Sequence, residues 1–275
     1  KIDIISWIFD SFILLTTFAM FNTTEMSLSK NKIKQIRSLN EKKHRSEYGT
    51  FVAEGKKLVL DLLGSCRCQL LAGLPDVLRE IPPFSAEEIV EATPDELKKA
   101  SHLKTAPQLV GVFYQPKQAL EESELAGKLH LVLDGIQDPG NMGTIVRLSD
   151  WFGIQHIFCS HDTADIFNPK TVQATMGAIA RVNVHYVDLN DLLTRNNSLP
   201  VFGTLLEGEN IYKAELPENG FIVMGNEGKG ISPDIQKLVT HKLFIPNYPA
   251  NTQTSESLNV AVAAAIVCSE FRRRG

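Results

Sequence analysis

Four cysteines in 275 residues (Cys66, Cys68, Cys159 and Cys268) are too few and too scattered for a disulfide framework. They suit a reducing compartment, and the expected location is cytoplasmic. The Cys66-x-Cys68 pair has no second Cys/His pair at zinc-finger spacing, so no metal is expected. Glycine, proline and charge are all unexceptional, which excludes collagen-like, disordered and coiled-coil chains. A clean apolar span is also lacking. Residues 1–25 are apolar, but Asp3 and Asp10 interrupt them, and a membrane-spanning helix needs roughly 20 apolar residues. A signal peptide would want a clear basic start and a small-residue cleavage site. The segment reads instead as an upstream extension or a mis-set start ahead of Met26, with a membrane anchor as the minority reading.

The chain also lacks a strong net charge. The total of -4 would argue against a nucleic-acid partner if charge were spread evenly. It is not. Residues 26–57 hold nine basic side chains, among them Lys30, Lys34, Arg37, Lys42, Lys43 and Arg45, against Glu41, Glu47 and Glu54. Ile33, Ile36 and Leu39 recur at helical spacing, which puts the cations on the outer face of a helix. A solvated charged face and a phosphate-binding surface both fit that pattern.

The length and a 43% hydrophobic content allow two domains with real cores. Residues 26–115 read as short alternating elements, including a capping box at Thr93-Pro94-Asp95-Glu96. Residues 116–127 read as a polar linker. Residues 128–275 alternate strands and helices, which implies an α/β fold with a mostly parallel sheet and ligands at the carboxyl ends of its strands.

Three loops there carry the chemistry. The first spans residues 132–154: a strand ends at Asp134, a Gly/Pro-rich turn follows, and Asn141 is expected to cap a helix that carries Arg147. The second, VMGNEGKGIS at residues 223–232, places Gly225, Gly228 and Gly230 after an apolar strand. Its spacing is neither a dinucleotide fingerprint nor a P-loop, and no Gly-x-Gly-x-x-Gly follows the first strand, which removes a nucleotide-dependent oxidoreductase. The third, residues 244–274, opens an alanine-rich helix at Ser257-Leu258-Asn259. Each loop alone has an ordinary structural explanation.

In order, they resemble the three motifs of the SpoU (TrmH-type) ribose methyltransferases of the SPOUT superfamily. Asn141, Gly143 and Arg147 match the first motif, and Gly225, Glu227, Gly228 and Gly230 the second. Ile245, Pro246, Ser257, Leu258 and Asn259 match the third. The stretch 168–182 is similar to the family's segment between the first two motifs. The resemblance covers roughly residues 128–274, and the basic first half is similar to the substrate-binding domain of ribosomal RNA members, a small α/β ribosomal-protein-like module.

The resemblance implies a deep trefoil knot, a homodimer, and S-adenosylmethionine held by Gly225, Gly230, Ile245 and Leu258, with Thr204 and Leu205 near the adenosine. It implies Arg147 as the catalytic arginine, Asn141 as the orienter of the ribose or of Arg147, and Glu227, Ser257 and Asn259 around the methyl group and ribose. Two departures stand out: a longer connection from Asn247 to Glu256, and Leu148-Ser149 where the family has smaller residues. The expected activity is methylation of a ribose 2'-hydroxyl in structured RNA, ribosomal before transfer RNA. A non-catalytic RNA-binding relative is the alternative from another class.

Overall fold

The computed structural model describes residues 27–116, 120, 124–249 and 257–273. The expectation for residues 1–25 and most of the longer connection ending at Glu256 lie outside them. The chain divides between Pro116 and Lys117 into two compact units.

The first unit runs α1 (Lys30–Ser38), α2 (Lys42–Tyr48), β1 (Thr50–Glu54), α3 (Lys56–Leu63), β2 (Cys68–Gly73), α4 (Pro75–Leu78), β3 (Glu88–Glu91), α5 (Pro94–Ala100) and β4 (Leu109–Tyr114). Its sheet has the order β1-β4-β2-β3, with β4 antiparallel to both neighbours and β3 parallel to β2. Ile36 and Leu39 are fully buried, and together with Leu97 and Ala100 of α5 they join Val52, Val90, Val110 and Val112 in one cluster. Burial of this apolar face holds α1 on the sheet. The capping box at Thr93 is formed, with the Glu96 side chain accepting the Thr93 N–H at 2.8 Å.

The first unit departs from expectation in two places. The basic stretch is two helices, because the chain leaves α1 at Leu39 in a tight turn before restarting at Lys42. Arg45, expected on the RNA-facing surface, is only 2% exposed. Its Nη1 donates to the carbonyls of Leu39 and Asn40, each at 2.8 Å. A cation in this position satisfies the carbonyls left over at the end of α1, which is why it is worth burying.

The second unit runs β5 (Leu129–Asp134), α6 (Pro139–Trp151), β6 (His156–Cys159), α7 (Pro169–Thr175), β7 (Asn183–Tyr186), α8 (Leu189–Arg195), β8 (Val201–Asn210), β9 (Gly220–Gly225), α9 (Pro233–Gln236), β10 (His241–Phe244) and α10 (Val260–Arg273). A short 3-10 turn, Ala178–Ala180, follows α7. The sheet is wholly parallel, in the order β10-β8-β9-β5-β6-β7. Buried strands such as Leu129–Leu133 read as near-continuous apolar runs because both faces are covered. The connection expected to be a polar linker contributes to this core, since Leu125 is buried in it and Leu120 packs against it.

Some boundaries differ from the sequence reading. The helix expected to run to His241 stops at Gln236, because the chain must return to pair β10 with β8; the Thr240 N–H already bonds the Val201 carbonyl at 2.9 Å. The helix expected to reach Ile179 breaks at Met176 and Gly177, both with positive φ. Helix α6 is buried on more than one face, and Gly143 shows why. A Cβ there would lie 2.5 Å from the Thr171 carbonyl and 2.6 Å from the Ala174 Cβ, so only glycine lets α6 and α7 approach this closely.

Candidate active site

Strands β5 and β9 are neighbours whose last residues are in register, Asp134 opposite Gly225. The loops after them therefore emerge side by side at the carboxyl edge of the sheet. The Asp134 carboxylate accepts the Ser232 N–H at 2.7 Å, tying the end of the second loop to the end of β5. Asn226 fixes the middle: its Nδ2 donates to the Gly135 carbonyl at 2.6 Å, while its Oδ1 accepts the N–H groups of Gly228 and Lys229, each at 3.0 Å. Gly225 has no room for a side chain, because a Cβ would lie 2.2 Å from the Ile231 nitrogen. The glycine is required by the loop's own return path, and Gly230, with φ 69, closes that path against Asn226.

Asn141 does not cap α6. Asp138 does, accepting the Asn141 N–H at 2.8 Å and pairing with Lys170 at 3.0 Å. The Asn141 N–H and then the Lys170 ammonium hold the Asp138 carboxyl below the usual carboxylate range. Asn141 is the third helical residue, and its side chain is free to point elsewhere. Its Nδ2 donates to Glu227 Oε1 at 2.9 Å, and its Oδ1 accepts from Asn259 Nδ2 at 2.9 Å. Asn259 is oriented in turn by α10, whose Ala261 and Val262 N–H groups donate to its Oδ1 at 3.0 and 3.2 Å. The orientation of both amides follows from this sequence of donors and acceptors.

One residue from each of three loops thus meets in a single hydrogen-bonded chain, Asn259–Asn141–Glu227. Arg147 is exposed further along α6 and, among the described residues, makes no hydrogen bond or ion pair. Ser257 and Leu258 precede Asn259 and are exposed. Thr204 Oγ1 donates to the Val223 carbonyl at 3.1 Å and joins β8 to β9 at the same edge. Leu205 packs on the core, and Ile245 is half-buried just after β10.

An adenosine-containing cofactor fits this edge in its chemistry. The glycine loop spends its Asn226, Gly228, Lys229 and Gly230 N–H groups on its own fold, while two apolar side chains, Leu206 of β8 and Leu258 of the third motif, are left uncovered at 74% and 49% exposure. Of the cations assigned to RNA, Lys30, Lys34, Lys42 and Lys43 are exposed. Arg37 is exposed too, though its Nη1 donates to the Lys99 and Ser101 carbonyls at 3.1 and 3.2 Å. The sequence reading missed Asp138, Asn226 and Asp134. Asp138 was readable, since Asp-Pro before an apolar-periodic run is the same start signal as Thr93-Pro94.

The profile of the SpoU rRNA methylase family matches residues 128–269, and that of an MRM3-like substrate-binding domain matches residues 30–111. The chain belongs to the SpoU rRNA methylase family. Among curated relatives of this SpoU chain, the 23S rRNA (guanosine(2553)-2'-O)-methyltransferase of Bacillus subtilis is 29% identical over 260 residues, covering 90% of the chain and 98% of the relative. A solved structure from Porphyromonas gingivalis, assigned to the TrmH family of RNA methyltransferases, is 43% identical, with a TM-score of 0.79 over 90% of this chain and 99% of that one. An AdoMet-bound rRNA methyltransferase from Sinorhizobium meliloti is 27% identical, also with a TM-score of 0.79, over 92% and 98%. The α/β fold with a parallel sheet is that of these SpoU and TrmH structures.

Proposed function

We propose that the chain transfers a methyl group from S-adenosylmethionine to a ribose 2'-hydroxyl of ribosomal RNA. The observation that carries this reading is the Asn259–Asn141–Glu227 chain, which unites the three family motifs at the carboxyl edge of the sheet. Gly225, Gly230, Ile245 and Leu258 would hold the cofactor, with Thr204 and Leu205 beside its adenosine. When bound, the cofactor supplies an electrophilic methyl on a sulfonium, and no metal is needed for that chemistry.

The protein's part is alignment and charge. Asn141 and Asn259 are held at both ends, so an acceptor ribose placed against them meets a pre-oriented amide pair. Arg147 is always protonated, and a guanidinium with no partner of its own among the described residues is free to stabilise the oxygen as it loses its proton. Stabilisation of a developing alkoxide is favoured over proton abstraction for that reason: the O–CH3 bond would form as the S–CH3 bond breaks, S-adenosylhomocysteine would leave, and the hydroxyl proton would pass to solvent. Ser257 and Glu227 complete the polar surround. The chain is read as knotted at the cofactor loops and as a homodimer, in keeping with its family. A cytoplasmic location accords with four unpaired thiols; no helix among the described residues is long and apolar enough to cross a membrane.

Residues 26–115 are read as the RNA-binding domain, 116–127 as the connection and 128–275 as the methyltransferase. Incubation with labelled cofactor and, separately, ribosomal and transfer RNA tests the substrate class. Label entering ribosomal RNA supports the reading; label confined to transfer RNA redirects it.

A further inference from the structure

The cations of the first unit fall into two groups. Some are used inside the fold: Lys32 pairs with Glu88, Lys56 with Glu80 at 2.6 Å, and Arg45 is buried against carbonyls. Lys98 and Lys99 in the last turn of α5, and Lys104 in the following loop, are exposed and make no ion pair among the described residues. No Asp or Glu occurs between Glu96 and Glu121; of the two carboxylates in the first turn of α5, Asp95 and Glu96, the second is engaged in the capping box at Thr93.

The backbone carrying these lysines is tied down from two sides. Arg37 of α1 donates through Nη1 to the carbonyls of Lys99 and Ser101. Glu54, at the end of β1 and only 3% exposed, accepts the Ser101 hydroxyl and the His102 N–H, the latter at 2.9 Å. The Ser101 hydroxyl also accepts the Leu103 N–H at 2.9 Å. A helix carboxyl end normally repels an anion, because its last carbonyls are unpaired and carry partial negative charge. Here a guanidinium covers two carbonyls at that end, and the nearby lysines face solvent as a positive strip.

We propose that Lys98, Lys99 and Lys104 contact the phosphate backbone of the RNA substrate, with Arg37 acting as a positioning residue that holds the end of α5. This rests on the reading of the chain as an RNA methyltransferase. It moves the binding surface beyond α1 and α2, to which charge counting alone assigned it. Phosphate contacts release counterions, so they are counted by the salt dependence of binding.

Filter binding of a labelled 23S rRNA transcript to the full chain, across a range of salt, tests it. The Lys98→Gln/Lys99→Gln/Lys104→Gln variant should bind at least roughly tenfold more weakly near physiological salt. Its log affinity against log salt should have a slope smaller by about two, at roughly 0.7 per lost contact. The corresponding triple Lys→Arg variant should retain wild-type binding, and both should keep the wild-type melting temperature. Arg37→Met should weaken binding while leaving the slope near wild type; a slope loss equal to that of a lysine would overturn its positioning role. Unchanged affinity and slope in the triple Gln variant would overturn the strip. Wild-type protein that binds RNA through these lysines but never methylates it would leave the strip standing and remove the enzymatic reading instead.

Discussion

Asn259 Nδ2 donates to Asn141 Oδ1 at 2.9 Å across 118 positions of sequence. The bond joins the start of the last helix to the first turn of α6, and Glu227 completes it from the glycine loop. Asn259 does two things at once, capping α10 and orienting Asn141. Asn259→Ala should therefore lower stability by about 1 kcal/mol through the lost cap and lower the methylation rate as well. Asn259→Asp keeps the cap but cannot donate to Asn141, so it should recover stability without recovering rate. Thermal melts and single-turnover kinetics on both variants separate the two effects.

Arg147 is exposed, and removing it disturbs no bond among the described residues. Arg147→Ala should fold normally and bind S-adenosylmethionine nearly as well as wild type, yet lose methylation by roughly a hundredfold or more. Retained turnover would take Arg147 out of the mechanism.

Gly143 tests the packing of α6 on α7. With a Cβ meeting a backbone carbonyl at 2.5 Å, Gly143→Ala cannot be relieved by a side-chain rotation. A loss of about 1–3 kcal/mol is expected from overpacking, read as a lower denaturant midpoint. A neutral result would mean that the two helices separate easily.

Arg45 distinguishes structure from charge. Arg45→Met should destabilise the protein by about 1–3 kcal/mol, because the Leu39 and Asn40 carbonyls lose their donor. The folded fraction should bind RNA as wild type does. Lys34→Gln should show the opposite pattern.

His130, His156 and His185 lie on the adjacent strands β5, β6 and β7, with ring centroids 5.9 Å and 5.4 Å apart. His156 Nδ1 and His185 Nε2 share a hydrogen bond at 3.1 Å. Burial lowers the pKa of all three, that of His185 to about 4, with Glu124 opposing the shift at His156 and His185. Because the folded state resists protonation, stability is full above the ordinary histidine value of about 6.5 and falls as pH drops from there toward 4. His185 alone should contribute a loss on the order of 1–2 kcal/mol by pH 5. Urea midpoints at neutral and acid pH should differ less in His185→Gln than in wild type; an equal drop would assign the acid sensitivity elsewhere.

Much of the fold was legible because periodicity and capping were local. The capping box at Thr93 and the apolar run Leu129–Leu133 need no partner to be read. What escaped depended on distant neighbours. Arg45 looks like any basic helix residue until the end of α1 folds back over it. The extension of β8 to Asn210 comes from pairing with β10, whose residues lie more than thirty positions on. At the site, motif order picked out Asn141, Glu227 and Asn259, and their contact is a tertiary event. Asn226, which holds the second loop together, sat inside a recognised motif but carried no signal separating it from a turn residue.

The position of the transferred methyl group on the RNA is decisive. Ribosomal RNA methylated by the full chain with isotopically labelled S-adenosylmethionine, digested to nucleosides and resolved by mass spectrometry, should carry the label on a ribose as a 2'-O-methylnucleoside. Labelled product carrying its methyl group on a base would exclude ribose 2'-O-methylation as the reaction.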